Sequence, residues 1–217
     1  MIATPVLPAC AFGNLFYFWF FQQPGVIIDI GEHYPKQTWR NRYDIAAANG
    51  LLSLTIPVIG LKGKKVPVKN IEIDHSENWA LQHMKTLTSA YQSAPFFEYY
   101  SNDLKTLLEQ APKDLASFNI ASVQLVMKWL QLDTQLEISE NYIPPESASM
   151  DLRPVMKPSK FPSDIIEIPP YFQVFSDKHP FHNNCSALDL VFNLGPEARS
   201  HLGRIRVKES QIANLDR

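Results

Sequence analysis

The densest run of reactive side chains is Glu32-His33-Tyr34-Pro35-Lys36-Gln37-Thr38-Trp39-Arg40-Asn41-Arg42-Tyr43-Asp44. A guanidinium takes phosphate or carboxylate oxygens in bidentate fashion, and an ammonium adds a point charge. Lys36, Arg40 and Arg42 are therefore candidates for clamping an anion, with Asn41 fixing its orientation. Arg40 and Arg42 share a face if the segment is extended, and Lys36 and Arg40 share one if it is helical. His33 has the chemistry of a general base near neutral pH, with Asp29 as the carboxylate that could orient it. The same composition also describes a solvated loop whose cations pair with nearby acids and whose histidine is only hydrogen-bonded.

Other constellations are sparser. His179-x-x-His182-x-x-Cys185, with Asp189 one turn on, has metal-compatible residue types but not a zinc spacing, and no metal is assigned. Cys185 near a helix start is either a nucleophile with a lowered pKa or a small core residue. His83 lies four residues after Trp79 on a helical pattern and reads as packing at a helix–sheet contact. Phe96-Phe97-Glu98-Tyr99-Tyr100 is either core or a contact surface. No Gly-rich phosphate loop, Walker motif, nucleophile elbow or His-Glu-x-x-His occurs, and no cofactor is expected.

The elements around the reactive run set its position. Ile2 to Val6 reads as a first strand closed by Pro8, Cys10 to Phe21 as a largely buried helix, and Val26 to Ile30 as a strand covered on both faces. Together they make a βαβ unit, so the run after Ile30 sits beyond the carboxyl ends of the strands, where open α/β sheets bind ligands. Leu52, Leu54, Ile56 and Val58 alternate with polar residues, and pairing with Val66 to Ile73 across a loop predicts an antiparallel hairpin. Asp74 and Glu77 have capping-box spacing ahead of a helix with Leu81, Met84, Thr88 and Tyr91 on one face. Pro95 restarts a helix, Ser117 can cap a third, and Leu136 to Ile138 is a last strand. Seven prolines between 144 and 170 predict an extended loop over the body. Cys185 to Asn193 is helical, with Gly195 closing it and Pro196 opening another short helix. The expected fold class is α/β, a mixed β-sheet begun by a βαβ unit, with an antiparallel hairpin and several packed helices. One domain spans 1–203, followed by a polar tail over 204–217.

Composition narrows the function classes. The 217 residues are 45% hydrophobic, enough to build a core and against disorder. Twenty basic against 22 acidic side chains leave no surplus for general nucleic-acid binding. Leu15 to Phe21 is too short to cross a bilayer, and no basic region precedes the apolar start of the chain. Two cysteines suit a reducing cytoplasm. The expectation is a cytoplasmic protein that binds a small anionic or nucleotide-activated ligand, with neither a nucleic acid nor a membrane as partner.

Several segments together resemble the WbqC-like protein family: Ile28-Asp29-Ile30 with His33 to Arg42, the Trp79 helix ending in Tyr91-Gln92-Ser93-Ala94-Pro95-Phe96-Phe97, and Ser186 to Glu197. The likeness runs approximately from Ile2 to Leu202, and the Leu188-Asp189-Leu190-Val191-Phe192-Asn193 helix is similar to the form in the Bacteroidetes branch. The resemblance implies a bacterial, cytoplasmic protein of surface-polysaccharide biosynthesis, a possible transferase for an activated sugar or acyl donor. A non-catalytic metabolite-binding or scaffold protein of the same pathway is the alternative. Two departures stand out: Leu7-Pro8-Ala9-Cys10-Ala11-Phe12 replaces a Tyr-Phe-Pro type turn, and Cys185 fills a slot that is aliphatic in relatives.

Overall fold

A computed structural model describes residues 4–60 and 65–208. The first strand, β1 (Pro5–Pro8), leads through α1 (Leu15–Trp19) into β2 (Gly25–Asp29), forming the expected βαβ unit. The helix is shorter than its apolar run: Phe12 adopts φ +43°, Asn14 caps the helix by accepting from the Tyr17 amide at 2.9 Å, and Phe20–Gln22 tightens into a 3-10 turn. Phe12 instead becomes a core hinge, packing edge-on against Tyr43 and Phe118 at centroid distances of 4.9 and 5.8 Å.

Two further strands, β5 (Gln135–Ser139) and β6 (Met150–Asp151), complete a four-stranded sheet in the order β5-β2-β1-β6. Every pairing in it is parallel, with Val6 opposite Ile27 and Asp151, and Ile28 opposite Ile138. Antiparallel strands form two separate two-stranded ribbons, and isolated antiparallel bridges join loops elsewhere. The central β1 is buried along its whole length, as a continuously apolar parallel strand should be.

The antiparallel hairpin exists, but not where alternation placed it. It joins β3 (Arg42–Ala47) to β4 (Gly50–Thr55) across Ala48 and Asn49, with Gly50 at φ +101°. The predicted pairing of 52–58 with 66–73 is reduced to one bridge between Val58 and Ile73. The strand β3 was hidden because Asp44 interrupts its apolar pattern. That aspartate is nonetheless buried, accepting from Trp39 Nε1 at 2.7 Å and from the Ser53 hydroxyl.

Helices α2 (Trp79–Tyr91), α3 (Phe97–Glu109) and α4 (Leu115–Trp129) follow. Asn78, not the Asp74–Glu77 pair, caps α2 by accepting from the Leu81 amide at 3.1 Å, and Asp114, not Ser117, caps α4 by accepting from the Ser117 amide at 2.8 Å. The buried face of α2 is Trp79, His83, Leu87, Ala90 and Tyr91, while Leu81 is exposed. The face is rotated because His83 is inside and paired: its Nδ1 accepts from the Tyr43 hydroxyl at 3.0 Å and its Nε2 donates to the Thr55 carbonyl at 3.1 Å. Phe97 and Tyr100 are core, and of the aromatic run Tyr99 is the fully exposed member.

The proline-rich segment has little regular structure, yet it is part of the core. It supplies β6, the short β7 (Ile166–Glu167), and buried Leu152, Arg153, Val155 and Met156. α5 (Ala187–Leu194) is capped by Ser186 and closed by Gly195 at φ +52°, then α6 (Ala198–Leu202) and β8 (Arg206–Val207) follow. β8 pairs antiparallel with β7, so the start of the expected tail is structured; 209–217 lie outside the described residues. Among the described residues no helix is long and apolar enough to cross a membrane.

Candidate functional site

The reactive run begins where β2 ends. Asp29 is fully buried and accepts from the Gly31 and Glu32 amides at 2.8 and 3.0 Å, which turns the chain sharply off the strand. Gly31 permits that turn: a Cβ there would collide with the Tyr142 amide nitrogen and the Asn141 carbonyl carbon, both backbone atoms. The chain then runs beside 66–69, with Val68 N donating to Glu32 O and Tyr34 N to Val66 O, both at 2.9 Å.

Behind this turn, ion pairs close the carboxyl end of the parallel sheet. Asp29 also accepts from the Ile143 amide at 3.1 Å and from Arg153 Nη1, while Arg153 forks onto Asp151 with Nε–Oδ1 at 2.8 Å and Nη2–Oδ2 at 2.6 Å. Tyr142 lies over the same guanidinium, 4.9 Å from its ring centre. Arg40 forms a second fork, Nε–Oε1 2.7 Å and Nη2–Oε2 2.8 Å, onto Glu32, and donates further to the carbonyls of Met156 and Arg153. Burial opposes both charges. It pushes the Glu32 carboxyl above its ordinary range and works against the guanidinium, for which the Glu32 carboxylate more than compensates.

The four residues expected to bind an anion therefore separate. Arg40 is 1% exposed, its guanidinium is occupied, and its carbonyl accepts from Asn119 Nδ2 at 2.7 Å. Its place is inside, as the anchor of the loop, and the three-cation clamp contracts to two. Lys36, Asn41 and Arg42 lie together on the wall of a cavity of about 290 Å³, with Tyr34, Gln37, Val58, Ile59 and Gly60 completing it. The shared-face geometries expected for Arg40 do not arise, because residues 38–41 form turns and Arg42 opens β3.

Gln37 and Asn41 are held in place by the loop and by the segment after β4. Gln37 adopts φ +57°, reversing the loop, and Thr38 Oγ1 donates to Pro35 O at 3.1 Å. Asn41 Nδ2 donates to Ile56 O at 3.0 Å while Ile56 N donates to Asn41 O at 2.8 Å, which ties the run to the segment after β4. Asn41 Oδ1 and Arg42 Nε are buried and make no hydrogen bond among the described residues, and neither Arg42 nor Lys36 forms an ion pair with a described acid. Tyr34 keeps its proton: burial pushes its hydroxyl up to about 12, against the opposing pull of Arg42 and Arg40.

His33 and Asp29 are not brought together. The carboxylate is sealed and engaged by three amides and Arg153, whereas His33 is exposed, its backbone bridged to Pro67. Val58, Ile59 and Gly60 are wall residues for which the sequence carries no site signal, and Gln37 lies in the reactive run without standing out there. Arg153 had no signal at all in a proline-rich stretch.

His179 Nε2 donates to Ala48 O at 2.8 Å, and no group of three metal-capable side chains occurs among the described residues. Cys10 and Cys185 are fully buried, and burial pushes Cys10 up to about 12 and Cys185 well above the usual thiol range, which makes both core residues rather than nucleophiles. Asp189 accepts from Tyr91, Tyr171 and Gln173 at 2.8, 2.6 and 2.8 Å, joining α5 to α2 and the loop before it.

Fold and site define an α/β protein whose parallel sheet is sealed at its carboxyl end by its own ion pairs, with a small cation-lined cavity displaced onto the adjoining loop. The chain belongs to the WbqC-like protein family, whose model matches residues 24–158 and so includes the whole reactive run. Over 111 residues it is 30% identical to the uncharacterized protein Rv1507c of Mycobacterium tuberculosis (strain ATCC 25618 / H37Rv), covering 50% of this chain and 47% of that protein. The chain thus spans about half the length of the curated relative it matches. No solved structure matches it.

Proposed function

We propose that the protein binds a small activated anionic donor in the cavity beside Lys36, Asn41 and Arg42 and acts as a cytoplasmic group transferase in surface-polysaccharide biosynthesis. The observation that carries the binding half is that Arg42, half-buried on the cavity wall, makes no ion pair among the described residues and has no acid in the described wall. A guanidinium that is partly desolvated without a partner is stabilised by an incoming anion. Transfer joins an acceptor hydroxyl or amine to the donor carbon and releases the donor's anionic leaving group, whose growing charge Lys36 and Arg42 offset. His33, exposed beside the wall residue Tyr34, is the group proposed to carry the acceptor's proton, and Asp29 holds the turn. The polysaccharide setting rests on the family, and the Bacteroidetes-type assignment on the Leu188–Asn193 helix.

Calorimetric titration tests the reading, using inorganic phosphate, UDP-glucose and acetyl-coenzyme A as probes. The expected result is binding of at least one probe, weakened at least tenfold in Arg42→Ala with the fold intact by circular dichroism. Absence of binding by all three, or unchanged affinity in that variant, overturns it.

A further inference from the structure

Resting on the anion-binding reading of this cavity, we infer that its ligand is a phosphate monoester on a body of one sugar ring, rather than a whole nucleotide-sugar or a carboxylate. Charge is the first argument. The described wall carries Lys36 and Arg42 and no aspartate, glutamate or histidine, so its formal charge is +2. A carboxylate leaves one of those charges uncompensated. A phosphate monoester carries about −1.5 to −2 near pH 7 and offers three acceptor oxygens, enough for a guanidinium edge and an ammonium together.

Size is the second. At about 290 Å³ the cavity lies at the lower edge of the roughly 300–1,000 Å³ typical of small-molecule sites. One ring and one phosphate fit that space, while a nucleoside diphosphate with its sugar would project out of it. The remaining wall suits a sugar: Tyr34, Val58 and Ile59 form an apolar side for a ring face, and Gln37 and Asn41 bring amides for hydroxyl groups.

The test is a calorimetric comparison of glucose 1-phosphate, glucose, glucuronate and UDP-glucose on the full chain at pH 7 and pH 5. Glucose 1-phosphate should bind best. Its affinity should fall about tenfold at pH 5, because the dianion fraction drops by that factor around a second pKa of about 6. The described wall has no carboxylate or imidazole, and His33 neighbours it through Tyr34. Arg42→Ala and Lys36→Ala should each remove most of the affinity and flatten the pH response. Tighter binding of UDP-glucose or glucuronate, still sensitive to Arg42→Ala, overturns this inference and leaves the anion site standing. A pH-independent affinity for glucose 1-phosphate overturns it as well. Failure of all four compounds to bind overturns the inference and counts against the anion site on which it rests.

Discussion

Arg40 and Glu32 face each other as a two-pronged fork, 2.7 and 2.8 Å, with the arginine 1% exposed. The pair spans the base of the loop that carries Lys36, Asn41 and Arg42, and the arginine's spare N–H groups fasten that base to the carbonyls of Arg153 and Met156. A charge removed from this pair leaves its partner buried and uncompensated, which costs about 3–5 kcal/mol. Arg40→Ala should therefore lower unfolding free energy by that amount at pH 7.5 in urea titrations. The loss should shrink at pH 5, since a carboxyl whose folded pKa is raised is destabilising above that pKa and is relieved as it protonates. Arg40→Met combined with Glu32→Leu should recover most of the stability. An Arg40→Ala variant as stable as the wild type refutes the anchoring role.

Two residues further on, the outcome should reverse. Arg42→Ala and Lys36→Ala remove cations that make no ion pair with a described residue, so stability should change by no more than about 1 kcal/mol. Thermal melts of the two variants beside Arg40→Ala give the contrast. A collapse of Arg42→Ala on the scale of Arg40→Ala shows that Arg42 serves the fold instead of a ligand.

His83 makes stability pH-dependent. Burial holds its pKa at about 4 in place of 6.5, against the weaker opposing effect of the Thr55 carbonyl. The unfolded chain therefore binds the proton first, and stability falls as pH drops from about 6.5 to about 4. At about 1.4 kcal/mol per unit, the loss attributable to this residue is up to roughly 3 kcal/mol. Urea midpoints at pH 7 and pH 5 should differ less in His83→Gln than in the wild type. Equal pH slopes in the two proteins dispose of the assignment.

Gly31→Ala should be among the costliest small substitutions. The added methyl meets backbone atoms of Asn141 and Tyr142, which have no rotamer to yield, and the shift needed disturbs the Ile143 amide on Asp29. Overpacking of this kind costs about 1–3 kcal/mol. Gly60→Ala, with nothing within 4 Å of the new methyl, is the internal control. Indistinguishable melting temperatures for the two variants contradict the close approach.

Local pattern was enough for the elements whose neighbours in sequence decide them. The continuously apolar Val26–Ile28, the buried β1, the positive-φ closure at Gly195 and the βαβ order are set by side-chain period and turn chemistry, and those are properties of a few adjacent residues. The same reasoning located the reactive run beyond β2. Tertiary structure decided which of its charges are tools and which are fasteners. Arg40 is a fastener because Glu32 and two carbonyls more than a hundred residues away meet its guanidinium, and Arg42 is not because no such partners reach it among the described residues. The burial of His83 follows the same rule and hid the true face of α2, whereas Asp44, which hid β3, is satisfied by the nearby Trp39 and Ser53 once the turn and hairpin form. A polar group is tolerated inside when distant partners satisfy it, and the identity of distant partners is a property of the folded chain.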